Sequence, residues 1–256
     1  YLKILLFIFM IREVLMKKTS RKKKIGNIIV GSINKEENMK IKAVIFDFNG
    51  TMVLDGPYHN QAWKMFSKEL RGYPMSDDEI NTHVHGAVNE KIIEYLKPGI
   101  SKEKNKEYSL EKEAWYRKIA SEDAENYRLV KGLSDFLDEL KAKNIKMNIA
   151  SASIKANIDF FVETFHLENW FDPSKIVYDD GTHDNKISMF QLAAKRMGCE
   201  PNECLVFEDS VSGISCAKRA GVKTIIVVSN QPVLEDSIAI TIKDFSDPRI
   251  KGYIEE

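Results

Sequence analysis

Four apolar residues, Ala43-Val44-Ile45-Phe46, run straight into Asp47, and Asn49-Gly50 then offers a sharp turn. A continuous apolar run of this kind suits a strand buried on both faces, as in a parallel sheet. An aspartate ending such a strand stands at the rim of the sheet, where open α/β folds bind their ligands. The same residues admit a second reading. Asn-Gly between apolar runs is also a hairpin signal, which leaves Asp47 as a turn residue.

The downstream pattern favours the sheet. Residues 133–143 carry Leu133, Phe136, Leu137 and Leu140 at helical spacing, and 145–150 read as a strand ending at Ser151. A helix at about 154–165, a strand 175–179, a helix near 188–197, a strand 204–207, a helix 212–220 before Gly221 and a strand 223–228 follow, with 238–242 as a candidate edge strand. This alternation predicts a parallel sheet with helices on both faces, an α/β Rossmann-like core. Between the first strand and this region nothing reads as a strand. Ala62, Trp63, Phe66 and Leu70 form one apolar stripe over 58–71, and further helical stretches lie at about 77–85, 88–96 and 109–122. Four amphipathic helices in succession predict an inserted helical bundle at 57–126, within a core made of 39–56 and 127–256.

Polar groups recur at the predicted strand ends. Glu208-Asp209 leaves the apolar run Leu205-Val206-Phe207. Adjacent carboxylates there are costly to bury unpaired, so they hold a cation or face water. In a parallel sheet they share a rim with Asp47. Oxygen ligands from Asp47 and Asp209, with a loop carbonyl, suit Mg²⁺, which shares its shell with waters and a substrate phosphate.

Over roughly residues 41–228 the chain resembles the haloacid dehalogenase-like superfamily, in its branch of phosphatases and phosphosugar mutases with a helical cap. Asp47-Phe48-Asn49-Gly50-Thr51 is similar to the family's first motif and Ala150-Ser151-Ala152-Ser153 to its second. Val206-Phe207-Glu208-Asp209-Ser210, followed by Gly213 and Ala217, is similar to the fourth. Tyr58-His59 with Ala62-Trp63 resembles the cap entry of β-phosphoglucomutase-like members.

The resemblance implies roles. Asp47 attacks phosphorus and forms an aspartyl-phosphate. Mg²⁺ is held by Asp47, the Asn49 backbone carbonyl and Asp209, with Glu208 binding directly or through water. Ser151 and Lys186 contact the transferring phosphoryl group, beside Ala152 and the loop Phe48, Gly50 and Thr51. His59 falls where relatives have a histidine at the cap hinge. Two departures stand out. The run His183-Asp184-Asn185-Lys186 before Ile187 is shorter than the family's, so Lys186 or Asp184 falls at the lysine position, depending on the direction of counting. A negative Asp184 would repel phosphate, which favours Lys186. Asn49 stands where the family's hydrolases have an acid/base aspartate, and an amide transfers no proton.

The implied function is a Mg²⁺-dependent phosphatase of a small phosphorylated metabolite, such as a sugar phosphate. The alternatives are a phosphosugar mutase and, given Asn49, a catalytically impaired regulator that binds a phosphate ligand. Dehalogenation is disfavoured, because dehalogenases need no metal and Glu208-Asp209 calls for one.

Composition limits partners and setting. Residues 1–38 carry nine Lys and Arg against three Glu, so the net charge of zero leaves the remainder at −6. A mildly acidic body is not that of a nucleic-acid binder. Cys199, Cys204 and Cys216 have neither metal-ligand spacing nor an even count, which fits a reducing cytoplasm. The apolar opening 1–11 is interrupted by Arg12 and Glu13, short of the roughly 20 residues that span a bilayer. An unstructured basic extension over 1–38 is expected, with a membrane anchor as the alternative. A monomer without stable membrane association is the expectation.

Overall fold

The computed structural model describes residues 41–231, 233 and 238–254. The expectations for 1–38 concern residues outside this range.

Six parallel strands form one sheet: β1 (Ala43–Phe46), β2 (Lys146–Ile154), β3 (Val177–Asp179), β4 (Cys204–Glu208), β5 (Thr224–Val228) and β6 (Ile238–Ile242), in the order β3-β2-β1-β4-β5-β6. β1 lies in the middle, with Phe46 in register with Ile149 on one side and Phe207 on the other. A strand paired in parallel on both edges excludes the hairpin reading of Asn49-Gly50. The chain reverses its direction of winding between β1 and β4, which opens the crevice in which doubly wound sheets bind ligands.

Successive side chains of a strand point to opposite faces, and the two cores divide accordingly. Val44, Phe46, Leu205 and Phe207 pack on one face with α5 (Leu133–Ala142) and α6 (Lys155–Phe165). Ala43, Ile45 and Val206 pack on the other with α7 (Lys186–Arg196) and α8 (Val211–Ala220). The Phe46 and Phe207 rings stack at 5.2 Å, and Phe136 meets both edge-on. Truncating Phe46 to alanine would cost about 3–5 kcal/mol.

Between β1 and β2 the chain is helical. α1 (Gly56–Arg71) starts at a proline in its first turn and ends on Gly72. α2 (Asp77–Glu79) is capped reciprocally by Ser76 and Glu79 and continues as π-helix over Ile80–Val84. α3 (Asn89–Leu96) and α4 (Lys102–Glu122) complete the set. Trp63, Phe66, Met75, Ile80, Ile92, Ile93 and Leu96 make a third hydrophobic cluster of their own. Tyr116, Ile119 and Ala120 of α4 instead join the first. No helix among the described residues is long and apolar enough to cross a membrane.

One expectation needs correction. Ser151 does not end its strand: β2 continues to Ile154, and its pairing with β3 shifts register between Ala150 and Ile154. Ser151 is fully buried all the same.

Candidate active site

Asp47 follows β1 directly and its backbone N–H still donates to Phe207 O, at 3.0 Å. The chain then turns on itself. Met52 N–H donates to Phe48 O and Gly50 N–H to Val53 O, each at 2.8 Å. Phe48 is buried against Phe161, ring centroids 3.8 Å apart, so only its main chain is available to a ligand. Gly50 has φ +81°, and a Cβ there would lie 2.2 Å from Asp209 Oδ2. A residue free of both constraints is needed for the loop to approach the carboxylate.

Three carboxylates, those of Asp47, Glu208 and Asp209, converge with ligand atoms within 4.8 Å of one another. One ammonium answers them. Lys186, at the start of α7 behind the capping side chain of Asn185, donates to Asp47 Oδ1 at 2.6 Å and to Glu208 Oε1 at 2.5 Å. Thr51 Oγ1 lies 3.5 Å from Asp47 Oδ2 and 3.4 Å from Asp209 Oδ1. Asp184 is exposed, and Lys186 is the residue that meets Asp47.

Glu208 is fully buried with both oxygens engaged. Its Oε2 accepts from the backbone N–H groups of Asp209 and Ser210, each at 2.8 Å, and from Ser210 Oγ at 3.1 Å. A side chain at position 213 would put its Cβ 1.7 Å from Glu208 Oε1. The carboxylate therefore rests on the first turn of α8, where the helix favours negative charge.

Burial and the neighbouring carboxylates dominate the electrostatics. Burial pushes Asp47 up to about 7, with Glu208 adding to the shift and Lys186 opposing it. Burial, Asp47 and Glu208 push Asp209 up to about 8. Burial alone would lower Lys186, but Asp47 and Glu208 hold it above the usual lysine range. Like charges crowded beyond what one lysine balances create a demand for a cation. The donors are hard oxygens, which fits a divalent ion of the Mg²⁺ type.

Asn49 sits beside this cluster with its amide held at both ends. Its Nδ2 donates to Asp55 Oδ2 at 2.5 Å. Its Oδ1 accepts from Ser153 Oγ at 2.7 Å and from Ser151 Oγ at 3.3 Å. Asp55, 2% exposed, also accepts from Tyr116 Oη at 2.6 Å. Burial works against its charge, but hydrogen bonding and charge from His59, then the Tyr116 and Asn49 bonds, bring it below the usual carboxylate range.

His59 stacks on Tyr116 at 3.9 Å, with Nε2 3.5 Å from Asp55 Oδ2 and Nδ1 3.0 Å from Lys112 Nζ. Lys112, 1% exposed, also meets Glu113 at 2.7 Å. Glu113 in turn accepts from Asn89 and from Asn157 of α6, each at 2.7 Å. Ala152 is exposed next to Ser151. Asp55, Lys112 and Glu113 escaped sequence reasoning, and Ser153 entered it only as part of the second motif, without its contact to Asn49. Asp55 reads as a loop residue before Gly56-Pro57, and Lys112 as one more charge on a polar helix.

Acidic groups gathered at the switch point of a parallel sheet, with a lysine between them, mark the ligand crevice of a doubly wound α/β protein. Residues 41–221 match the haloacid dehalogenase-like hydrolases, and the chain belongs to that family, in its phosphatase branch. It is 31% identical over 189 residues to YhcW of Bacillus subtilis, a protein named for an inferred phosphatase activity, covering 73% of this chain and 83% of that one. To β-phosphoglucomutase of Bacillus subtilis it is 28% identical over 218 residues, 78% and 89% of the two chains. A family IA, variant 3 hydrolase of Entamoeba histolytica superposes with a TM-score of 0.78 at 33% identity, over 83% of this chain and 97% of that one.

Proposed function

We propose that the protein is a Mg²⁺-dependent phosphatase of small phosphorylated metabolites that works through an aspartyl-phosphate on Asp47. The observation that carries the reading is Asp47 itself, a buried carboxylate at the end of the central strand, bonded to Lys186 and opposite Asp209. Its Oδ2, away from Lys186, is the candidate nucleophile toward phosphorus. Lys186, the Ser151 hydroxyl, Thr51 and the main chain of residues 48–51 and 152 supply donors for the transferring oxygens. Asp47, Asp209 and the Asn49 carbonyl would hold Mg²⁺, and Glu208 would orient Lys186 and the Asp209 backbone around it. The ion, when bound, neutralises phosphoryl charge.

Residues 57–126 act in this reading as a cap over a core of 39–56 and 127–256, excluding water and selecting the substrate. The buried Glu113–Asn157 bond ties α4 to α6 and would set how that cap closes. A phosphosugar mutase is the second reading, supported by the likeness to β-phosphoglucomutase. Both readings need a proton carrier, and His59 has its ring nitrogens directed at Asp55 and Lys112.

A panel of phosphorylated metabolites, assayed with and without Mg²⁺ and with and without a sugar bisphosphate, tests both. Phosphate release that needs Mg²⁺ and is lost in Asp47→Ala supports the phosphatase. Isomerisation that needs the bisphosphate supports the mutase. Mg²⁺-independent release, or release that survives Asp47→Ala, refutes the mechanism.

A further inference from the structure

The strongest signal outside this scheme is the amide at position 49, because its neighbours are built for an amide. Asp55 only accepts hydrogen bonds, so it selects Nδ2, and two serine hydroxyls donate to Oδ1. A carboxylate in the same pose would face Asp55 at the 2.5 Å separation that Asn49 now fills with a hydrogen bond. Asn49 is thus integrated into the site. It is also unable to donate or accept a proton during a reaction.

The side chains bonded to Asn49 do not replace it. Ser151 and Ser153 are alcohols. Asp55 is nearly sealed from solvent and already bonded by Asn49 and Tyr116, with His59 Nε2 close by. Lys186 offers only donors, two of which are taken by Asp47 and Glu208, and it cannot act as the base for water. His59 has Nδ1 facing Lys112 Nζ and Nε2 facing Asp55, so neither ring nitrogen is turned to the phosphoryl site. The nucleophile and phosphoryl-binding groups are therefore present, while among the described residues beside Asn49 none is placed as the acid for a leaving alkoxide or the base for water.

We propose that the protein takes a phosphoryl group from acyl phosphates onto Asp47 and retains it as a long-lived aspartyl-phosphate. This rests on the reading of Asp47 as the nucleophile. An Asp47 oxygen forms the new bond to phosphorus as the bond between phosphorus and the acyl oxygen breaks. The electron pair departs with a carboxylate, a stable anion at neutral pH that needs no proton. A sugar phosphate would expel an alkoxide, which does need one. Hydrolysis of the phosphoenzyme then waits on water that no positioned base deprotonates. Removing such a group typically slows a step by roughly 10²–10⁴-fold.

The experiment uses the full chain with acetyl phosphate and Mg²⁺, quenched in acid and read by intact mass. The expected result is addition of one phosphoryl group, labile to hydroxylamine and absent from Asp47→Asn. After removal of acetyl phosphate, the label should decay about 10²–10⁴-fold more slowly than in Asn49→Asp. The exchange Asn49→Asp with Asp55→Asn keeps one carboxylate and one amide in contact, and serves if the single variant fails to fold. Wild-type label that decays as fast as in these variants overturns the proposal. If wild type takes no label while Asn49→Asp hydrolyses sugar phosphates through Asp47, the proposal fails and the phosphatase reading stands. If no protein carries label on Asp47 and none releases phosphate from any donor, both fail.

Discussion

Lys186 Nζ lies 2.5 Å from Glu208 Oε1, and the same ammonium reaches Asp47. One cation therefore holds two carboxylates from different strands, and it does so at the mouth of the sheet. Replacing it by methionine would leave both acids without their counter-charge. Lys186→Met is expected to lower stability by about 3–5 kcal/mol without metal, read by urea unfolding. Mg²⁺ should restore part of that loss, so its stabilising effect should be larger in the variant than in the wild type. Phosphoryl transfer should fall by roughly 10²–10³-fold.

Asp209→Ala should separate folding from metal binding. Asp209 faces Asp47 and Glu208, which take the Lys186 ammonium, and burial with these two carboxylates pushes it up to about 8 against the pull of Lys186. Removing it relieves repulsion, so the metal-free variant is expected to melt no lower than the wild type. Its thermal shift on adding Mg²⁺ should disappear, together with phosphoryl transfer. A variant that keeps the full shift would remove Asp209 from the ligand set.

Acidity should act on the metal-free protein in an unusual direction. Asp47 and Asp209 hold protons more tightly folded than unfolded, with folded values of about 7 and about 8 against roughly 3.9 for free aspartate. Where the folded state binds more protons, stability falls as pH rises. The loss should run from about pH 4 to about pH 8. Asp55 and Glu113 are shifted downward, so their contribution is complete by about pH 5 and does not mask the trend. Melting curves in chelator across about pH 5 to 8 should slope downward, and Asp209→Asn should flatten the slope. Mg²⁺ should stabilise more at the upper end, where it displaces fewer protons.

Glu113→Ala should loosen the helical insertion from the sheet. It would strand Lys112, 1% exposed, beside His59 and remove the bond from Asn157. The expected cost is about 3–5 kcal/mol, with hydrogen exchange in α4 and α6 rising more than in β1 and β4.

The central sheet was readable because β1 and β4 are apolar throughout and end in carboxylates, so burial and rim position follow from periodicity alone. Asp47, Glu208 and Asp209 were visible for the same reason. A shortened loop offers two ways to count to the lysine position; charge favours Lys186 over Asp184, and its bond to Asp47 agrees. Ser151 was placed at a strand end because Ser-Ala-Ser lacks the apolar character of β2, yet pairing with β3 carries the strand on to Ile154. Asp55 could not be recognised: a buried carboxylate that takes its donors from residues 49 and 116 has no local pattern. Lys112 was hidden likewise, since its cover comes from Trp63, 5.0 Å away on α1.

The Asn49-Gly50 pair carries one more consequence, concerning chemical ageing. Asparagine before glycine deamidates when the glycine nitrogen attacks the side-chain carbonyl carbon and closes a succinimide ring. Here the Gly50 N–H is committed to Val53 O at 2.8 Å, and the Asn49 amide is pinned by Asp55 and Ser153. The folded loop therefore resists ring closure, while an opened chain loses that protection. Water then opens the ring at either carbonyl, leaving isoaspartate in part and, in the other part, an aspartate at position 49, the residue whose absence defines this site. Sugar-phosphate turnover should then grow with time spent unfolded, in step with a one-dalton gain in the peptide that contains Asn49, so that a sample's history sets its apparent rate.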